Sequence, residues 1–148
     1  MKMMSLKNLP IKLTIVLALL LNTFTQAQDS YREQIIQYIE TYAPLAIKEM
    51  NRTGFPASIK IAQGIHESGA GRSNLVSRSN NHFGIKCKST WDGEKVYHDD
   101  DAAGECFRAY ESAEDSYIDH SDYLKSQSRY SFLFEYDPDD HVSWAWGL

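Results

Sequence analysis

Phe55-Pro56-Ala57-Ser58-Ile59-Lys60-Ile61-Ala62-Gln63-Gly64-Ile65-His66-Glu67-Ser68-Gly69 is the stretch that decides the fold. Pro56 suits the first position of a helix, where its missing N–H costs nothing. Ala57, Ile59, Ile61, Ala62, Gly64 and Ile65 surround that helix with apolar or small groups, the pattern of a central, buried helix. Gly64 gives up about 1 kcal/mol of helix propensity against alanine, which predicts a helix or ligand packed closely against it. Ser68, Gly69 and Gly71 break the helix just past Glu67. A carboxylate there meets the negative end of the helix dipole and is partly desolvated by its surroundings. A glutamic acid held protonated in such a place can protonate a leaving oxygen, the step a glycosidase requires. The competing reading is a solvated glutamate at an ordinary helix end.

Upstream, Tyr31 to Met50 reads as an amphipathic helix with a stripe of Ile35, Ile36, Ile39, Tyr42, Ala43, Ala46, Ile47 and Met50. Pro44 inside it predicts a kink or two shorter helices. Asn51 to Phe55 is a turn around Gly54. Downstream, three short extended segments are expected, His82–Lys88, Glu94–His98 and Cys106–Tyr110, with a turn at Trp91-Asp92-Gly93 and a polar turn over residues 99–104. Ser112 can cap the next helix, with Asp115 at the third helical position completing a capping box. Tyr117, Ile118, Ser121 and Leu124 form the stripe of that helix, and Asp137-Pro138-Asp139 opens a last helix through Trp144. The architecture is α+β, a mainly helical body facing a small antiparallel hairpin lobe, with Glu67 on the body's edge of the cleft between them.

The amino-terminal residues have the layout of a secretory signal. Lys2, Lys7 and Lys12 precede or open an apolar run from Ile11 to Leu21, and Thr25-Gln26-Ala27 follows. The run is shorter than the roughly 20 apolar residues that span a bilayer, so no stable membrane span is expected after cleavage. A buried core helix is the alternative. The expected organisation is a signal peptide over residues 1–28 and one domain over residues 29–148, exported to the periplasm or the cell exterior, acting as a monomer. Removing the leader's three lysines and no acid takes the net charge from −5 to −8. A chain that acidic, with no basic stripe, disfavours nucleic acid as a partner. In an exported chain the isolated pair Cys87 and Cys106 is a disulfide candidate; two free thiols are the alternative.

A glycosidase needs a second group across the cleft. Asp99, Asp100 and Asp101 sit on the hairpin turn, with Glu105 just beyond. Their separation from Glu67 would distinguish inverting from retaining chemistry, and the substrate's own acetamido group could replace a protein nucleophile. A solvated turn or a loose calcium contact explains three aspartates equally simply. No metal or cofactor is called for. His66-Glu67 is followed by Ala70 where the zinc-protease motif has its second histidine, and no glycine-rich phosphate loop occurs. Cys87 with His82 as its base is conceivable as a nucleophile, but Cys106 is the better partner in an oxidising compartment.

Four blocks in order now make a family resemblance: residues 62–69, Gly71-Arg72-Ser73, Asn81-His82-Phe83-Gly84-Ile85-Lys86, and Phe107-Arg108-Ala109-Tyr110 followed by Ser116-Tyr117-Ile118-Asp119-His120. Together they resemble the bacterial cell-wall endo-β-N-acetylglucosaminidases, the group of the flagellar peptidoglycan hydrolase, across residues 31–148. The resemblance implies a lysozyme-like fold, glycan strands of peptidoglycan as the partner, and hydrolysis of the β-1,4 bond after N-acetylglucosamine. It places the catalytic acid on Glu67 and a second acid on the hairpin lobe. Many relatives have a longer hairpin with a glutamate there; here Asp101, then Asp100, is taken for that role. Asn81, Phe83, Gly84 and Tyr110 match positions expected to line the glycan cleft. Phe83 and Tyr110 suit stacking on sugar faces and suit the core as well. Relatives continue past Leu148 with a turn carrying Tyr-Ala-Thr and a closing helix, so the domain is read as lacking that usual segment. Two further readings stay open: a muramidase or lytic transglycosylase on the same fold, and a glycan-binding module without catalysis.

Overall fold

The computed structural model describes the backbone from Ile11 to Leu148 and side chains from Gln28 onward. Residues 1–27 of the expected leader therefore lie outside the residues described with side chains. The chain divides into two compact units, Met1–Ile36 and Gln37–Leu148, and everything below concerns the second. Five helices and one hairpin are described: α1 (Ile11–Thr53), α2 (Ala57–Ser68), α3 (Asn74–Ser79), β1 (Lys95–His98), β2 (Glu105–Arg108), α4 (Ala113–Ser126) and α5 (His141–Gly147), with a 3-10 helix (Ser128–Glu135) between the last two. The expected α+β, lysozyme-like architecture is the one observed. No helix among the described residues is long and apolar enough to cross a membrane.

Helix α1 departs from expectation twice. It runs unbroken through Pro44, whose side is exposed, so the lost N–H bond falls on the outer face. Its buried face is also rotated from the predicted stripe. Tyr38, Ala46, Glu49 and Thr53 are buried, whereas Ile39 and Ile47 are 40% and 48% exposed. The reason is chemical: the polar tips of Tyr38 and Glu49 find partners inside, which a count of aliphatic residues misses.

Helix α2 begins at Ala57 with Pro56 as its N-cap rather than its first residue, and ends in Gly69, whose φ of 58° is left-handed. Ala70 (φ 54°) and Gly71 (φ 78°) continue in that conformation, turning the chain sharply. The buried Ser68 hydroxyl anchors this turn, donating to the Gly64 carbonyl and accepting from Gly71 N–H at 2.7 Å. The helix is not buried all round. Ser58, Ala62 and His66 face outward, because alanine carries too little apolar area to force an interface. The close approach expected at Gly64 is present: a Cβ there would collide with the Tyr38 hydroxyl and lie 3.3 Å from that of Tyr117.

The third expected strand is reduced to a bridge. β1 and β2 pair antiparallel with Lys95 opposite Arg108 and His98 opposite Glu105, but residues 82–88 contribute a single bridge, Lys86 to Phe107, flanked by the backbone hydrogen bonds Cys87 N–H to Cys106 carbonyl and Arg108 N–H to Ile85 carbonyl. Left-handed Gly84 (φ 60°) prevents a continuous ladder. The short α3, capped by Ser73 and closed by left-handed Asn80, was not anticipated; at six residues it leaves little periodic signal. The Ser112–Asp115 capping box and the last helix through Trp144 form as expected, with Asp140 as the latter's N-cap.

Phe55, Ile59, Leu124, Leu133 and Trp144 make the larger apolar core, joining α2 to the carboxy-terminal helices, while Leu75, Val96 and Phe107 seat the hairpin on α3. Cys87 and Cys106 form a disulfide with Cα atoms 5.3 Å apart. It closes a separation of 19 residues. Replacing both cysteines by serine is expected to cost about 3 kcal/mol, read as a lower urea midpoint with a somewhat steeper slope, because the unfolded chain without its cross-link exposes more surface.

Candidate active site

Glu67 stands at the end of α2 with its side chain 49% exposed and His66 Nδ1 at 3.4 Å. Across from it is Gly84: a Cβ on that glycine would lie 3.7 Å from Glu67 Oε2. Two hollows meet at this point and share Gln63. One, of about 270 Å³, is lined by Ile59, Ala62, Gln63, Glu67 and the last helix through Ala145 and Leu148. The other, of about 410 Å³, includes Gln63, Phe83, Gly84, Lys86, His120 and Tyr123. Gln63 joins them into one groove; Glu67 lines the first hollow and is the one carboxyl side chain in the lining of either. A larger hollow, about 880 Å³, lies beside Trp91, Lys95 and Tyr110 and contains none of these residues. The smaller groove is the better catalytic candidate, because it holds the acid and the loop that faces it.

The hairpin acids are held in a cluster. Lys86 Nζ lies 2.9 Å from Glu105 Oε1, 3.0 Å from Asp101 Oδ2 and 3.4 Å from Asp100 Oδ2. Glu105 and then Asp101 hold the Lys86 ammonium well above the usual lysine range, and Lys86 in turn lowers Glu105. Asp100, Asp101 and Glu105 offer oxygens within 4.8 Å of one another, with the lysine among them. Lys86 is two residues beyond Gly84, so the cluster and Glu67 flank one loop, but no hairpin acid lines the hollow at Glu67.

The other expected residues separate. Asn81 is 1% exposed and spends its whole amide on backbone: Nδ2 donates to the Ile85 and Arg108 carbonyls, each at 2.9 Å, and Oδ1 accepts from Phe83 N–H and Ile85 N–H. An amide makes four such bonds, so nothing is left for a sugar. Asn81 shapes the loop. Phe83 is buried, stacked on His120 at 4.0 Å between ring centres, and forms the floor of the groove rather than an open sugar platform. Tyr110 belongs to the distant hollow, where it donates to Asp119 Oδ2 at 2.6 Å.

Three residues escaped the sequence reading: Lys60, Gln63 and His120. Lys60 is 0% exposed inside a helix that reads as apolar. Its Nζ donates to the Tyr117 carbonyl at 2.8 Å and to Ser121 Oγ at 2.6 Å, and lies 3.2 Å from His120 Nδ1. Burial, opposed by the Glu49 carboxylate, pushes Lys60 down to about 7. His120 is driven well below its usual value, first by burial and then by the Lys60 charge. Gln63 Oε1 is buried without a donor. A charged residue amid small apolar ones was the available signal.

A helical body with a small disulfide-bonded hairpin lobe, and a glutamate at a helix end above a groove, defines a lysozyme-like domain. The chain belongs to the glucosaminidase family described as mannosyl-glycoprotein endo-beta-N-acetylglucosaminidase, which it matches over residues 43–148. It is 35% identical over 106 residues to the peptidoglycan hydrolase FlgJ of Pseudomonas aeruginosa, covering 64% of this chain and 26% of that one. It is 32% identical to FlgJ of Vibrio cholerae, covering 72% and 36%. The chain thus spans little more than a third of these relatives at most. The crystal structure of a peptidoglycan hydrolase from Sphingomonas sp. A1 superposes with TM-score 0.67 at 30% identity, over 76% of this chain and 74% of that one. The glycoside hydrolase domain of Salmonella typhimurium FlgJ shares the fold, with TM-score 0.65 at 22% identity over 77% and 74%.

Asn81→Ala strips hydrogen bonds from four buried backbone groups. It is expected to cost about 2–4 kcal/mol in urea unfolding, since each orphaned group forfeits roughly 1–3 kcal/mol before relaxation.

Proposed function

We propose that this protein hydrolyses the β-1,4 bond after N-acetylglucosamine in peptidoglycan, with Glu67 as general acid. The observation that carries the proposal is Glu67 at the left-handed end of α2, facing Gly84 across a groove, in a chain of this family. The absence of a side chain at Gly84 keeps the carboxyl of Glu67 uncovered on that side, since a Cβ there would touch it at 3.7 Å. Glu67 gives its proton to the glycosidic oxygen as the bond to the anomeric carbon breaks. Water completes the reaction at that carbon and passes its proton to a carboxylate. Asp101, then Asp100, is proposed for that second role, from the cluster around Lys86. Asn81 acts indirectly, by fixing the loop that carries Phe83 and Gly84.

A wall location fits the same reading. The disulfide suits an oxidising compartment, and the leader-like amino terminus suits export. A lytic transglycosylase is the second reading, favoured by the hollow at Glu67 having that one carboxyl in its lining.

With purified peptidoglycan sacculi, Glu67→Gln is expected to lower the release of reducing ends at least about 100-fold, with an unchanged melting temperature. Release that persists in the variant would sink the assignment. The products separate the two readings: N-acetylglucosamine at the new reducing ends supports hydrolysis as proposed, and anhydro-muramic ends support the transglycosylase.

A further inference from the structure

We propose that His120 is a substrate-contacting residue that donates a hydrogen bond through Nε2 to the carbonyl oxygen of an N-acetyl group in the groove, and that Lys60 is the positioning residue that fixes this donor. The inference deepens the hydrolase reading above and rests on it.

An ammonium has three N–H groups and no lone pair. Lys60 Nζ meets the Tyr117 carbonyl, Ser121 Oγ and His120 Nδ1, at 2.8, 2.6 and 3.2 Å. Against a charged lysine, Nδ1 can act solely as acceptor. A neutral imidazole that accepts at Nδ1 carries its proton on Nε2. The ring cannot turn away: Phe83 stacks on it with planes 11° apart, and Phe55 meets it edge-on at 5.6 Å. Among the described residues Nε2 has no protein partner. The buried side-chain atoms without partners are Gln63 Oε1 and Arg108 Nε. His120 is buried but lines the hollow it shares with Gln63, Phe83 and Gly84, and this hollow is where Nε2 can meet a ligand. An imidazole donor over an apolar floor of Phe83 matches the carbonyl and methyl of an acetamide.

The arrangement implies a pH dependence with a definite sign. Lys60 faces Glu49 and Arg52 of α1, and His120 and Asp122 of α4. With Lys60 lowered to about 7, the ammonium exists below that pH and the free amine above it. The amine has a lone pair that can accept from Nδ1–H, which releases the proton from Nε2. The groove then offers an acceptor where it had offered a donor, so N-acetyl binding weakens as pH rises through about 7.

The test uses the Glu67→Gln protein, which removes cleavage, and a tetramer of N-acetylglucosamine beside its de-N-acetylated counterpart. Calorimetry gives affinity, and NMR of ¹⁵N-histidine gives the His120 tautomer. The expected result is an Nε2–H tautomer at pH 5.5, an Nε2 shift with the acetylated tetramer alone, and roughly tenfold weaker binding of that tetramer at pH 8.5. In a Lys60→Met background the tautomer preference and the pH dependence disappear. Should that variant not fold, His120→Gln, whose amide nitrogen mimics Nε2, is expected to keep the affinity while His120→Asn loses about tenfold. A His120 ring unmoved at saturation, or the same pH dependence with Lys60→Met, overturns the proposal. In that case release of reducing ends from sacculi by the wild-type protein shows that the hydrolase reading survives; no binding and no release defeat both.

Discussion

The hydroxyl of Tyr38 joins four segments at one point. It lies 3.0 Å from His82 Nδ1 in the loop before the hairpin, 3.0 Å from the hydroxyl of Tyr117 on α4, and against Gly64 of α2, while its own chain is α1. No other residue at 64 would let α2 come so close, because any Cβ occupies the place of that oxygen. Burial pushes Tyr38 up to about 12 and His82 down to about 4. The cluster is therefore neutral across the physiological range, and the position of α2 does not depend on pH there. Ser68 closes the helix on the same side, so the turn that presents Glu67 inherits this rigidity.

One turn earlier, the same face of α2 carries the opposite solution. Lys60 and Gly64 are four residues apart and share a face. Where Gly64 receives a neutral hydroxyl, Lys60 brings a charge into the interior and meets a carbonyl, a serine and a histidine. The aromatic rings of Phe55, Phe83 and Tyr117 pack around it at 5.1 to 5.8 Å. Glu49, held below the usual carboxylate range despite its burial by the hydrogen bond from Arg52, supplies the counter-charge. Such groups carry a desolvation cost, and removing one partner strands the other charge in the interior.

The hairpin lobe is fixed by a different set of contacts. Asn81 brackets the loop against Ile85 and Arg108, the disulfide ties Cys87 to β2, and Lys86 gathers three acids. Arg108 lies over Trp91 at 4.6 Å and pairs with Asp119 at 2.8 Å, fastening the lobe to α4. Glu67 sits on the rigid body and the hairpin acids on this lobe, with Gly84 between them.

Much was legible in the chain itself. The apolar run ended by Ser68 and Gly69, the Ser112–Asp115 box, the cysteine pair and the glycine at 64 are local signals, set by propensity, capping and the backbone freedom of glycine, and each appears in the structure. What pattern could not settle was the partner of each polar tip. Tyr38 and Glu49 lie outside the aliphatic stripe of α1, Lys60 is a charge within an apolar run, and Asn81 matches a cleft-lining position, yet all four are buried because polar partners satisfy them. Phe83 and Tyr110 match neighbouring family motifs yet fall in different hollows. Periodicity records which residues avoid water. Which buried polar group meets which depends on contacts between residues tens of positions apart, such as Tyr38 with Tyr117 and Lys60 with His120, and those arise when the helices pack.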